Sequence, residues 1–398
     1  MAHNNSTEGA CAWNEGYSTH RFMLISCASL VACIGMVCNL FLAYLFLGPS
    51  AKRFKTATLY LGIMAVYDCA LCLLYLILFE MDAFAYYLKI QLAYDLYYVY
   101  LEPAFITSKA VQLGIPYLLM FATFERFLVT VKMTEGIWKL FISACGRRSI
   151  TFIVVFLSIA TRVPIFWALY IQKYSLCPDP FSTKNIMPTD FFHSESFYFF
   201  DFYIMQSFQI FLPFIVLVAL NAMIIIKLNQ MKIERKKTFF VNRGIGSALG
   251  QISLLANASG QGLSLEIRNQ LSEDNRKVRN AISTLSIICA TYLICNTINV
   301  VLTVMERLQA PILFNEETKS WSELYIVMGD VLSFLYMFCS VVRLLIYYSC
   351  NMEFRKEIRR LFSGKKNRKF SSKNQRSHEQ QPLMTEKSDT GYTDSGML

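Results

Sequence analysis

The sequence predicts an all-α membrane protein, a seven-transmembrane helix bundle with its N-terminus outside and a short amphipathic eighth helix. Three observations carry this. The 398 residues are 55% hydrophobic and 15% aromatic but only 17% charged, against roughly 45–50% apolar and 25% charged in soluble domains. The apolar residues fall into blocks of membrane-spanning length, and the basic residues fall between alternate blocks. Segregation of this kind excludes collagen-like, disordered and ordinary cytosolic chains.

A hydrocarbon core of about 30 Å takes about 20 apolar residues in a helix. Seven stretches qualify: Phe22 to Leu47, Ala57 to Phe79, Ala104 to Val131, Ile150 to Ile171, Tyr198 to Leu228, Ala281 to Val304 and Leu324 to Tyr348. The first, second and sixth are the clearest. The third, fourth, fifth and seventh each hold an internal charge, which marks them as helices facing other helices as well as lipid.

Orientation follows from Lys and Arg, which stay in excess on the cytoplasmic side. Of 38 basic residues, 28 fall in segments 48–56, 132–149, 229–280 with Lys227 at its edge, and the tail from 349. The opposite segments hold six: Arg21, Lys89, Lys173, Lys184, Arg307 and Lys319. This places residues 1–21 outside, the bundle over 22–348, the eighth helix over 349–363 and a disordered cytoplasmic tail over 364–398. Residues 1–21 lack an apolar core of their own, so the first span is expected to serve as signal anchor. Thirteen acids lie in the outer segments, giving that face a net charge of −7. Basic residues dispersed along membrane-proximal inner loops make anionic lipid the partner for the net +10, not nucleic acid.

Only Cys11 and Cys177 lie in outer segments, where an oxidising compartment permits a bridge. A Cys11–Cys177 pairing is therefore the one intramolecular disulfide the topology allows, with two free thiols as the alternative. Cys350, directly after the last span, is a palmitoylation candidate. The sequons at Asn4 and Asn5 fall outside and are glycosylation candidates, whereas the one at Asn257 falls inside.

Local motifs then narrow the class. The third span ends Phe124-Glu125-Arg126-Phe127. Asn39 and Asp68, the latter in Gly62-Ile63-Met64-Ala65-Val66-Tyr67-Asp68, form a central polar pair. The sixth span carries Tyr292-Leu293-Ile294-Cys295-Asn296, and the seventh ends Arg343-Leu344-Leu345-Ile346-Tyr347 before Asn351-Met352-Glu353-Phe354-Arg355. In this order, on these helices and over about residues 20–365, the chain resembles a rhodopsin-like (class A) G-protein-coupled receptor. The nearest resemblance is to invertebrate receptors for FMRFamide-like neuropeptides. It implies an extracellular ligand, a heterotrimeric G protein as partner, and arrestin and receptor kinase as further partners. Asn39, Asp68, Glu125, Arg126, Cys295, Arg343 and Tyr347 become the expected activation switch.

The departures are informative. The family's outer helix-3 cysteine falls at Leu101, so its usual bridge to Cys177 cannot form. Ile298 and Leu344 stand where the family has the prolines of helices 6 and 7, which leaves both helices straighter if nothing else bends them. The fourth span lacks the family Trp. The aspartate that binds the ammonium in amine receptors falls at Ser108, which disfavours a monoamine ligand.

Ionisable groups at membrane depth cost at least a few kcal/mol unless paired or wet. Glu125 and Arg126 are expected to pair locally near the cytoplasmic end. Asp68 and Arg343 lie about 16 Å and 8 Å from the inner ends of their helices, within bridging reach of an Arg side chain. Arg343 is thus expected to take the electrostatic role that sodium plays in the family, snorkelling to headgroups being the alternative. Lys109, Arg162, Asp201 and Asp330 lie in the outer halves of their helices, with Gln112, Gln209, Asn296 and Asn299 at similar depth. These eight form the candidate ligand pocket. Mixed signs suit a zwitterionic or peptide ligand, and the alternative is mutual pairing, such as Lys109 with Asp330. The acidic outer face favours a cationic ligand by long-range attraction, so a basic amidated neuropeptide fits. Phe181, Phe192 and the aromatic stretch Phe84 to Tyr100 offer it apolar contact, or else form an interfacial belt.

On the inner face, both ends of the 229–280 loop are expected to extend helices 5 and 6. Arg126, Met133, Lys236, Arg276 and Lys277 are the candidate G-protein contacts. Within 351–362, Met352, Ile358, Leu361 and Phe362 alternate with four basic residues, as an interfacial amphipathic helix requires. The rival functions are a chemosensory receptor for a small molecule and, from another class, a transporter or channel, which calls for repeat symmetry and broken helices that the sequence lacks. No zinc motif, phosphate-cradling loop or nucleophile elbow is present, so no enzyme, cofactor or metal site is expected.

Overall fold

The computed structural model describes residues 18–49, 51, 58–133, 135–175, 177–249, 261–308, 312–315 and 320–363. Seven of its helices are long and apolar enough to cross a membrane, making this a multi-pass membrane protein. They are α1 (Thr19–Leu47), α2 (Thr58–Tyr86), α3 (Gln91–Val131), α4 (Ala144–Ala160), α5 (beginning at Glu195–Tyr198 and ending as Leu212–Leu249), α6 (Gln261–Arg307) and α7 (Glu323–Cys350). The helix α8 (Met352–Ser363) belongs almost wholly to a second unit that begins at Glu353. Within it Arg360 pairs with Glu357 across 3.4 Å.

The spans match the seven apolar runs, but several differ at their ends. α3 starts thirteen residues before Ala104, because Gln91 to Pro103 continues the helix beyond the apolar stretch. α4 gives way at Ala160, well short of Ile171. Pro164 has no N–H and restricts Val163, so the chain passes through a turn over 161–164 and one helical turn, Ile165–Ala168. It then enters an antiparallel hairpin of β1 (Leu169–Lys173) and β2 (Lys184–Pro188), in the register Leu169 to Pro188. α5 and α6 extend past the apolar runs to Leu249 and from Gln261, as expected for the ends of the long inner loop. A two-residue ladder, β3 (Phe314–Asn315) with β4 (Ser320–Trp321), precedes α7.

Helix packing makes α3 the central member. It touches α2, α4, α5 and α6, and 61% of its apolar window is buried against 33% in α1 and α4, whose other faces are left for lipid. α1, α2 and α7 pack on one another, and α6 packs on α7. Small residues set these approaches. A Cβ on Gly114 of α3 would collide with the Tyr67 ring of α2 and press on Ser158 Oγ of α4 at 3.2 Å.

Two helices contain π segments. In α2 the stretch Leu76–Glu80 widens the helix, with the Met81 N–H bonding the Leu76 carbonyl. In α5 two such stretches, Phe199–Met205 and Ser207–Phe211, run up to Pro213, whose missing N–H leaves the Gln209 carbonyl without an α-helical partner. The Phe208 carbonyl is taken up by the Tyr117 hydroxyl of α3 at 2.9 Å.

Candidate ligand cavity and inner polar layer

A cavity of about 810 Å³ opens at the end of the bundle where α1, α3, α5 and α7 begin. Six of the helices, the segment that follows α4 and the start of β1 reach it. Of the eight residues that the sequence assigns to a pocket, Lys109, Gln112, Arg162, Asp201, Gln209, Asn299 and Asp330 line it. Asn296 does not: it is buried within the bundle, donating to the Tyr292 carbonyl one turn back.

The early end of α4 explains the position of Arg162. The turn before Pro164 carries the guanidinium inward, leaving the residue 4% exposed. It donates to Asp201 of α5 at 3.1 Å and also to the Gln209 side-chain oxygen. Both partners sit in the π segments of α5, where the altered phase turns them toward one guanidinium. Asp330 of α7 pairs with Arg21 in the first turn of α1 at 3.0 Å. Its partner is thus a residue that the sequence assigned to the outer segment. Lys109 lies over the Phe105 ring, 5.3 Å from its centre. Ser108 lines the cavity and accepts from Gln112. Asn299 donates to the Tyr336 hydroxyl at 2.9 Å and so links α6 to α7 at the cavity wall.

The hairpin is fastened beside this opening by α3 rather than by a helix-3 cysteine. Tyr94, fully buried, accepts the Lys184 N–H at 2.8 Å. The Lys184 ammonium reaches Asp95 at 2.7 Å and lies over the Tyr94 and Tyr98 rings. Phe181 packs edge-on against Tyr94, and the Tyr86 and Tyr98 hydroxyls meet at 2.7 Å. Part of the aromatic stretch Phe84 to Tyr100 is thus a small core beneath the hairpin. Phe192 lines the cavity itself. Cys177 is disulfide-bonded, and among the described residues ten cysteines carry free thiols. Cys11, Asn4 and Asn5 lie outside the described residues.

Toward the opposite end lies a buried polar layer. Arg343 of α7 and Asp68 of α2 form an ion pair, their side chains 5% and 1% exposed. Asn39 of α1 donates to Ser340 of α7 at 2.7 Å and to the Gly35 carbonyl. Thr123 of α3 meets Cys289 of α6 at 3.2 Å, and Cys295 of α6 hydrogen-bonds Cys339 of α7. The Tyr347 ring packs edge-on to Phe46. Glu125 and Arg126 are both buried, and Glu125 has a further cation within 3.9 Å, Arg147 in the first turns of α4. Met133 is exposed just past α3. Lys236, Arg276 and Lys277 fall within α5 and α6, but their side chains lie outside the described residues.

Sequence reasoning did not single out Arg21, Asp82, Arg147, Ser340 or Cys339 as site residues. A charge at the edge of a span, such as Arg21 or Arg147, is stable without a partner, so its position carries no signal; Ser340 and Cys339 look like small packers. Pro164 was the missed cue to the end of α4. Comparison with family models and with curated proteins finds no match for the chain.

Proposed function

We propose that the protein is a rhodopsin-like G-protein-coupled receptor of the plasma membrane, with its N-terminus outside, that binds a basic amidated neuropeptide in the 810 Å³ cavity and activates a heterotrimeric G protein. The observation that carries this reading is the pairing of two separate polar zones in one seven-helix bundle. One is an open cavity lined by charged groups from α1, α2, α3, α5 and α7 and the turn that follows α4. The other is a closed inner layer around Asp68, Arg343 and Arg126, linked through α2, α3, α6 and α7. A ligand that shifts α6 against α3 or α7 acts on the Thr123–Cys289 and Cys295–Cys339 contacts, which tie α6 to those helices. Movement there would uncover Arg126 with Met133, Lys236, Arg276 and Lys277 for the G protein, while arrestin and receptor kinase would share that face.

The mechanism needs no cofactor and breaks no covalent bond. Its energy comes from differential binding of the ligand to two arrangements of the same helices. The cavity's volume falls within the usual range of about 300–1,000 Å³ for ligand sites. It suits the end of a peptide better than a whole one.

Expression in a reporter cell line, challenged with a library of amidated peptides, tests the proposal. The expected result is a response to basic amidated peptides that is lost in Arg126→Ala with surface expression retained. Silence to all peptides with a response to small solutes would assign the cavity to a chemosensory receptor instead.

A further inference from the structure

Glu125 and Arg126 follow one another in α3 and are both buried, 5% and 6% exposed. Successive residues of a helix point about 100° apart, so the carboxylate is open to a neighbour on a second helix. That neighbour is Arg147 of α4, whose Nη1 lies 3.9 Å from Glu125 Oε1. The other oxygen, Oε2, is buried and accepts no hydrogen bond among the described residues. Arg147 is set in place by its own helix and by the segment before it. Its Nε donates to the Ser143 carbonyl at 3.4 Å, and Ser143 Oγ caps α4 by accepting the Gly146 N–H at 3.0 Å. Residues 136–142 are fastened to α3 by Phe124, whose ring meets those of Phe141 and Trp138 at 5.2 Å and 6.1 Å. Gly146 lets the Leu140 carbonyl lie against α4, where a Cβ would collide with it.

Glu125 attracts Arg126 and Arg147 repels it, and both charges are near enough to act on it. The Arg147 side chain is 26% exposed and that of Glu125 6%, so the interhelical ion pair is partly screened and takes a share of the carboxylate, not all of it. We propose that Arg147 is a positioning residue that shares Glu125 with Arg126 and so weakens the grip of the carboxylate on Arg126. Without Arg147, the full attraction of Glu125 falls on Arg126, and the repulsion that opposes it is gone. The link to signalling rests on the receptor reading: a shared carboxylate makes Arg126 easier to release to a G protein, and Glu125 keeps a cation beside it once Arg126 has left. The sharing itself is a matter of electrostatics within the bundle and stands apart from that reading.

A pair of double-mutant cycles on the full-length protein tests the sharing. The coupling of Glu125 with Arg126 is read from the unfolding equilibria of Glu125→Gln, Arg126→Gln and the double variant, titrated with dodecyl sulfate in mixed micelles, first with Arg147 in place and then in Arg147→Gln. Loss of Arg147 is expected to raise that coupling about threefold or more, as a ratio of unfolding constants, and Arg147→Lys, which keeps the charge, to leave it near the wild-type value. A packing role for Arg147 would lower stability and leave the coupling as it was; an unchanged or smaller coupling overturns the proposal. If the variants at the buried positions do not fold, amide hydrogen exchange across residues 120–131 compares the wild type with Arg147→Gln. Slower exchange is expected there, since Arg126 is held more firmly, and faster or unchanged exchange overturns the proposal. Basal nucleotide exchange on a panel of purified heterotrimeric G proteins needs no ligand, and it is expected to fall about threefold in Arg147→Gln and to recover in Arg147→Lys. A rise, or no change from a measurable wild-type rate, overturns the proposal. Raised coupling with no exchange on any G protein, by wild type or variant, would instead count against the receptor reading and leave the shared carboxylate standing.

Discussion

Asp68 and Arg343 meet where neither has access to water, and each is tolerable only because of the other. Removing one partner leaves an uncompensated buried charge, which costs about 3–5 kcal/mol. Arg343→Met is accordingly expected to lower the thermal unfolding midpoint of the solubilised protein sharply, and Asp68→Asn added to it should recover most of the loss. If Arg343 serves as a fixed internal cation, agonist binding should not vary with sodium. A sodium dependence that vanishes in Asp68→Asn would contradict that assignment. This pair was legible in the sequence because each charge interrupts a long apolar run and must find a partner within it. The Arg21–Asp330 pair was only half legible: Asp330 lies inside a span, but Arg21 lies ahead of one.

At the scale of elements, the β1–β2 hairpin is held to α3 in part by the Tyr94 hydroxyl. Tyr94→Phe keeps the packing against Phe181 but leaves the Lys184 N–H without its acceptor, at a cost of about 1–3 kcal/mol. Amide hydrogen exchange is expected to speed up across residues 169–188 in that variant, with the exchange of α6 unchanged. Gly114→Ala tests the contact of α2, α3 and α4: the added methyl cannot fit beside Tyr67 unless the helices separate. Such overpacking costs about 1–3 kcal/mol, read as a lower unfolding midpoint. Neither feature was legible. The start of α3 is amphipathic and charged, with Asp95, Glu102 and Pro103, and therefore resembles a loop when spans are sought by hydropathy. Strands of five residues in a hairpin carry little periodicity, and a close approach shows in the sequence only as a glycine.

For the whole molecule, the number of spans was the most legible property, since lipid permits no unsatisfied backbone and forces long apolar helices. The cavity was nearly as legible: charges inside apolar helices must converge, and seven of eight named residues do so. Asn296 escaped because an amide can satisfy itself on its own helix by bonding one turn back. The proposed orientation is checked by glycosidase digestion of protein expressed in mammalian cells. A mass shift that disappears in the Asn4→Gln, Asn5→Gln double variant is expected if residues 1–21 are lumenal during synthesis. Glycan at Asn257 in place of these would invert the bundle.

The π segments of α5 make helix length, apart from composition, part of how the cavity is encoded. Arg162 engages both Asp201 and Gln209, whose relative angle around the helix is fixed by the residues between them. Losing a single codon there, such as that for Ile204, would rotate Asp201 about 100° against Gln209. The helix would still span the membrane and present the same kinds of side chain, yet the guanidinium would keep one partner and lose the other. An in-frame deletion invisible to hydropathy would thus undo the two-point hold on Arg162, and an insertion that restored the phase, whatever residue it supplied, would be expected to bring it back.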